Sequence, residues 1–164
     1  MNGPNPRPAL IVVCGLPGSG KTTHARRVEA ERRAVRFCPD EWMAELGLSL
    51  WDEAARARIE ALQGKLGLQL LRLGLSVILE WGTWARSERD ALRVGAQAAG
   101  AAAELHFLHA PVDVLFDRIQ RRGAENPPIE REAIDRWFAQ FEAPTGEEFS
   151  LYDCSVNLES TNSD

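Results

Sequence analysis

The chain has 164 residues, 45% of them hydrophobic and 26% charged, and carries a net charge of −5. That length supports one domain with a full hydrophobic core, and no apolar run approaches the ~20 residues that a membrane-spanning helix needs. The acidic balance speaks against a broad nucleic-acid-binding face, which is normally basic, though a small local basic pocket is compatible with it.

Met1 to Pro8 is rich in Pro and Asn and shows no charged-then-apolar leader, so it reads as a tail and a cytoplasmic location is expected. Leu10 to Val13, closing on Cys14, is an apolar run suited to a strand buried on both faces. A first helix is expected from Lys21 to about Arg33. A short strand follows at Val35–Cys38 and ends at Pro39; Asp40 is placed to cap a short helix over Glu41–Leu46. From Asp52 to about Leu73 the spacing of Ile59, Leu62, Leu66, Leu70 and Leu73 is helical, with Gly74 closing the helix. Ser76–Glu80 is a third strand. Ser87 with Asp90 resembles a capping box that opens a helix to about Ala99.

Glu104–His109 is a fourth strand, and Val112–Arg122 a helix entered through Pro111. Gly123 to about Glu130 is a loop, and the helix after it, to Phe141, carries Ile134, Trp137, Phe138 and Phe141 on one face. Cys154–Leu158 reads as a short fifth strand, and 159–164 as a frayed tail. Strands alternating with helices imply a three-layer α/β sandwich with a mostly parallel sheet, in one domain over 9–158. The three cysteines are odd in number with no C-x-x-C. Two of them end apolar runs, which points to buried free thiols.

The segment between the first strand and helix carries chemistry. Gly15, Gly20, Lys21 and Thr22 complete G-x-x-x-x-G-K-[ST] in the strand–loop–helix setting this motif requires. Chance at this composition would produce it about once in a thousand such chains. Backbone N–H groups of Gly15, Leu16, Pro17's neighbours, Gly18, Ser19, Gly20 and Thr23 are candidates for a phosphate cradle at the helix's positive end. Lys21 would reach the β- and γ-phosphates of ATP, and the Thr22 hydroxyl would ligate Mg²⁺. Of the two lysines, against seventeen arginines, one fills this position.

Ligands in parallel sheets bind beyond the carboxyl ends of the strands, where Asp40 and Glu80 also arrive. Asp40 is the candidate general base for an attacking hydroxyl; its bland alternative is a helix cap or an arginine's partner. Glu80 stands either where a carboxylate holds Mg²⁺ or where it binds the acceptor, the alternative being a strand end turned to solvent. Arg118, Arg121 and Arg122 share a helical face before the Gly/Pro loop. They are either lid arginines over 118–131 that compensate charge in the transition state, or a solvated basic face. Arg86 and Arg89 are acceptor candidates, as is Trp42. The tryptophans 42, 51, 81 and 84 either line a pocket or fill core. His24, His106 and His109 show no metal-ligand spacing.

Gly-Leu-Pro-Gly-Ser-Gly-Lys-Thr-Thr at 15–23, Pro-Asp-Glu-Trp-Met at 39–43, Val-Ile-Leu-Glu-Trp-Gly-Thr-Trp-x-Arg-x-x-Arg at 77–89 and Phe-Glu-Ala-Pro-x-x-x-Glu at 141–148 resemble one family of P-loop kinases. It groups zeta toxins, chloramphenicol phosphotransferase, the kinase domain of phage polynucleotide kinase and uncharacterised bacterial AAA-type ATP-binding proteins. The resemblance implies an adenylate-kinase-like P-loop fold with a small mobile lid and ATP–Mg²⁺ as donor. It places Lys21 and Thr22 on phosphate and metal, Asp40 as base and the 118–122 arginines in the lid. Glu80-x-Gly82-Thr83 is similar to the acceptor-binding Glu-Gly-Thr of zeta toxins, with an inserted tryptophan that speaks against a UDP-sugar acceptor.

These readings lead to a kinase that phosphorylates a hydroxyl of a small molecule, with Lys21, Asp40, Arg118 and Arg122 in catalysis. Nucleic acid and membrane are not expected as partners, and a monomer or weak homodimer is expected. The alternatives are a 5′-hydroxyl polynucleotide kinase and a non-catalytic nucleotide-binding regulatory module. No N-K-x-D and no D-x-x-G occur, which disfavours a GTPase-like switch.

Overall fold

The computed structural model describes residues 7–123 and 125–160. Of the tails expected at 1–8 and 159–164, residues 1–6 and 161–164 lie outside the described residues. Five strands, β1 (Ala9–Cys14), β2 (Val35–Phe37), β3 (Val77–Gly82), β4 (Ala102–His109) and β5 (Cys154–Glu159), alternate with helices. All pair in parallel, in the order β2-β3-β1-β4-β5. β1 is central, with Leu10 opposite Val77 on one side and Ala103 on the other, so its six residues are all buried. Parallel strands covered on both faces need such an unbroken apolar run.

Helix α1 (Lys21–Arg32) covers one face, where Ala25 and Val28 meet Ile11 and Val13. Helices α3 (Glu53–Arg72) and α4 (Arg86–Ala98) cover the other, where Leu71 and Ala96 meet Leu10 and Val12. The result is a three-layer α/β sandwich. Above the sheet's carboxyl edge, α5 (Val112–Arg122) and α6 (Arg131–Gln140) form a smaller core in which Leu16 meets Leu115, Ile119 and Ile134. Among the described residues no helix is long and apolar enough to cross a membrane.

Several expectations need correction. Pro39 opens α2 (Pro39–Glu45) at its first position, so Cys38 is the N-cap and Asp40 sits one residue inside the helix. The buried face of α3 is Ala55, Ile59, Gln63, Gly67 and Leu71, while Leu62 and Leu73 of the expected stripe are 50% and 76% exposed. Glycine explains the rotation. A methyl on Gly64 would stand 3.1 Å from the Trp81 ring, and one on Gly67 3.4 Å from Val77. The helix therefore brings its glycines closest to β3, with Leu71 buried and Leu66 and Leu70 only partly so.

Helix α4 starts at Arg86 with Glu88, not Asp90, accepting from the Ala85 N–H at 2.9 Å. A four-residue helix, α7 (Gly146–Phe149), was not expected; Thr145 caps it by accepting from the Glu148 N–H. β5 takes in Glu159, and the Ser160 N–H donates to His109, so the frayed tail does not begin at 159. Phe138, expected on the packed face of α6, is 52% exposed.

Cys14 and Cys38 are buried free thiols, pushed up to about 12 and about 11 by burial, and Cys154 is exposed. His24 and His106, given no role by the sequence, meet in the core with Nε2 and Nδ1 2.9 Å apart. Burial, then the neighbouring His106 and Arg27, bring His24 down to about 4.

Candidate active site

The loop from Gly15 to Gly20 joins β1 to α1, and its backbone is one that glycine permits. Gly15, Gly18 and Gly20 have φ of 146°, 81° and 94°. At Gly15 a Cβ would stand 2.2 Å from the Leu108 carbonyl oxygen and 2.8 Å from Ser19 Oγ, so the chain there lies directly on β4. Gly15→Ala is expected to cost about 2 kcal/mol or more, since both φ and space resist a methyl. A lowered urea midpoint together with lost ATP–Mg²⁺ binding checks this.

Gly20 is the N-cap of the 12-residue α1, and no side chain caps it, so the first-turn N–H groups keep their donors for an anion. Lys21 Nζ folds back to donate to the Leu16 carbonyl at 2.9 Å, inside the loop. Burial lowers its pKa, opposed by the charges of Glu80 and Asp40. The Arg122 charge adds to the lowering.

The Thr22 hydroxyl donates to Glu80, whose side chain is 3% exposed, and whose second oxygen accepts from Arg36 Nη1 at 2.7 Å. Thr22 thus spends its proton on the carboxylate and keeps its oxygen lone pairs for a cation. Among the described residues no three His, Cys, Asp or Glu cluster to hold a metal. A Mg²⁺ ion carried in by phosphate oxygens and water, with one hydroxyl and one carboxylate from the protein, needs no such cluster. The residues present fit it. Thr23 follows on the exposed side of the first turn.

Asp40 is exposed, and its carboxylate pairs with Arg56 Nη2 at 2.5 Å. Arg56, on α3, was not among the sequence candidates; neither was Arg36. Glu60, one turn beyond Arg56, is pushed up to about 7, chiefly by burial. Arg118 donates to the Gly18 carbonyl at 3.3 Å and to Ser160 Oγ at 2.8 Å, which sets it on the phosphate loop. Arg122 pairs with Glu125 in the loop ahead.

The acceptor candidates divide. Thr83 has a positive φ of 43° and a buried hydroxyl without a hydrogen-bond partner. Trp42 packs edge-on against Phe37, and Trp84 edge-on against Trp137. The Arg86 guanidinium reaches Glu147 and Asp90, while the Arg86 backbone N–H donates to the Glu142 carboxylate. Arg89 is 0% exposed, and all five of its donors are taken: two by Glu148, the others by the carbonyls of Thr83, Trp84 and Glu142. Its expected place at an acceptor is therefore a misreading. It is an internal clamp with no donor left for a ligand.

A parallel sheet whose central strand runs through a glycine-lined anion loop into a helix defines a P-loop nucleotide-binding protein. The chain belongs to the AAA_33 family of AAA domains, whose profile matches residues 10–144. No curated protein matches the sequence. Among solved structures it is similar to a candidate kinase from Chloroflexus aurantiacus, with TM-score 0.77 and 22% identity over 95% of this chain and 90% of that one. Kti12 from Chaetomium thermophilum, in complex with ADP-AlF3, gives 0.70 and 21% over 94% and 91%. A gluconokinase from Sinorhizobium meliloti gives 0.63 and 23% over 93% and 83%. At these identities the likeness speaks for the fold.

Proposed function

We propose that this protein is an ATP-dependent phosphotransferase that moves the γ-phosphoryl group to a hydroxyl of a small molecule. The observation that carries the reading is the uncapped glycine loop with Lys21 folded into it and the Thr22–Glu80 pair beside it. Similarity to a gluconokinase, and to a protein solved with an ADP-AlF3 complex, supports it.

In this reading the amides of Leu16, Gly18 and Gly20–Thr23 bind the β- and γ-phosphates, and Lys21 leaves the Leu16 carbonyl to reach them; of the other expected cradle amides, Gly15's donates to the Gly82 carbonyl and Ser19's to the Leu16 carbonyl. Bound Mg²⁺ neutralises charge on the phosphate oxygens. Thr22 and Glu80 would hold it. Asp40 would accept the proton of the attacking hydroxyl, and Arg118 and Arg122 would meet charge on the moving phosphoryl group from a lid over 118–131.

A cavity of about 380 Å³ beside the loop, walled by Leu16, Ser19, Phe107, His109 and Phe141, has room for the nucleoside. Ser19 is fully buried there, with an unpartnered hydroxyl. The unit proposed to do this is the single domain 9–158, a monomer or weak homodimer of the cytoplasm.

Calorimetry with ATP and Mg²⁺, followed by a mass-spectrometric screen of alcohol-bearing metabolites and a 5′-hydroxyl oligonucleotide, tests the reading. No ATP binding removes it; ATP binding with no phosphorylated product favours a regulatory module. Lys21→Met should lower turnover by about 10²–10³-fold, the scale for losing one preorganised donor to transition-state charge. Its melting temperature should stay at the wild-type value, because the only bond of the ammonium among the described residues is to Leu16.

A further inference from the structure

Arg36 lies in the middle of the three-residue β2, where its neighbours Val35 and Phe37 are apolar, yet its side chain is only 7% exposed. Three elements deliver carboxylates to it. Nε donates to Glu29 of α1 at 3.1 Å, Nη1 to Glu80 of β3 at 2.7 Å, and Nη2 to both oxygens of Glu41 of α2 at 2.7 and 2.8 Å. The guanidinium fork is thereby used on all three of its nitrogens. Lysine, a point donor on a flexible stem, reproduces no such arrangement. Glu80 has one oxygen on Arg36 and the other on the Thr22 hydroxyl, so its orientation is fixed at both ends. Glu41 is the residue next to Asp40, so the same cation also ties down the helix that carries the proposed base.

We propose that Arg36 is a positioning residue for the phosphate-bound cation: it locks Glu80 in the orientation that receives the Thr22 proton, so that the Thr22 oxygen is presented to Mg²⁺. Residues behind a metal ligand set its direction and basicity in this way. The inference rests on the phosphotransferase reading and adds to it a group that touches neither nucleotide nor metal.

The test is ADP titration by calorimetry, once in EDTA and once in excess Mg²⁺. In the wild-type protein Mg²⁺ is expected to tighten ADP binding. In Arg36→Lys the affinity in EDTA should stay within about twofold of wild type, while the Mg²⁺-linked tightening falls by about tenfold or more. Retained tightening overturns the proposal. So does an equal loss in EDTA and in Mg²⁺, which marks general damage to the loop.

Should Arg36→Lys not fold, Glu80→Gln serves instead. Arg36 acts through that carboxylate, so this variant must show the same loss, and retained tightening again overturns the clamp. A wild-type protein that binds ADP in neither condition would fail the phosphotransferase reading itself, and the clamp with it.

Discussion

Asp40→Asn is expected to lower turnover of the acceptor identified by the metabolite screen by about 10²–10⁴-fold, the range contributed by a positioned general base. Each tenfold corresponds to about 1.4 kcal/mol of transition-state stabilisation, so the change removes roughly 3–5.5 kcal/mol. The asparagine keeps the shape and hydrogen-bonding reach of aspartate and loses only the capacity to take a proton. Binding of ATP with Mg²⁺ should be unaffected, because Asp40 bonds to Arg56 and not to the loop.

Stability should also hold. The Asp40 and Arg56 side chains are 58% and 30% exposed. A pair that open to solvent is worth about 0–1 kcal/mol. The signature is therefore a fall in kcat with an unchanged nucleotide affinity and an unchanged melting temperature. Equal turnover in the two proteins would take Asp40 out of the mechanism and leave Glu60, one turn along α3 from Arg56, as the nearest half-buried carboxylate with a raised pKa.

What the sequence made legible was whatever depends on neighbours in the chain. The run Leu10–Cys14, the glycines of the loop and the helix from Lys21 are each set by local pattern, and the structure has them in the expected order. Parallel pairing followed from the βα alternation, since parallel strands need crossovers. The face of α3 was not legible. Its leucines obey a helical period, but which stripe is buried depended on how closely Gly64 and Gly67 let β3 approach, a property of two elements together.

The arginines illustrate the same limit. Seventeen guanidiniums look alike in a sequence, and each takes its role from a carboxylate that folding brings to it. Arg36 lies between residues 29 and 80, and Arg89 lies 59 residues from Glu148. One signal was present for Arg36: a cation flanked by apolar residues in a strand rarely lacks a buried partner. The repeated Arg-x-x-Arg at 86–89, by contrast, drew both residues toward the acceptor, when one is pinned near the surface and the other is sealed inside.

Arg89→Met is expected to cost about 3–5 kcal/mol, the loss measured when one partner of a buried ion pair is removed and the other is left alone. Against a total stability of about 5–15 kcal/mol that is a large fraction, and at roughly 2–4 °C per kcal/mol it lowers the melting temperature by about 6–20 °C. Four acceptors lose a donor at once. Glu148, 0% exposed, keeps a carboxylate with no cation, the carbonyls of Thr83 and Glu142 lose the Arg89 donor, and that of Trp84 keeps only the Glu142 N–H.

Those carbonyls belong to the turn that follows β3 and to the segment that leads from α6 to α7. Arg89 therefore holds the turn carrying Thr83, three residues past Glu80, against the far end of the chain. Arg89→Met/Glu148→Leu, which empties the site of both charges, should recover part of the loss, because the buried carboxylate is then gone. A single variant within about 1 kcal/mol of wild type in urea unfolding would contradict the clamp. An acceptor-binding role would instead show Arg89→Lys with an unchanged urea midpoint and a raised KM for the acceptor, and the five occupied donors predict the opposite: a lowered midpoint even with the charge retained.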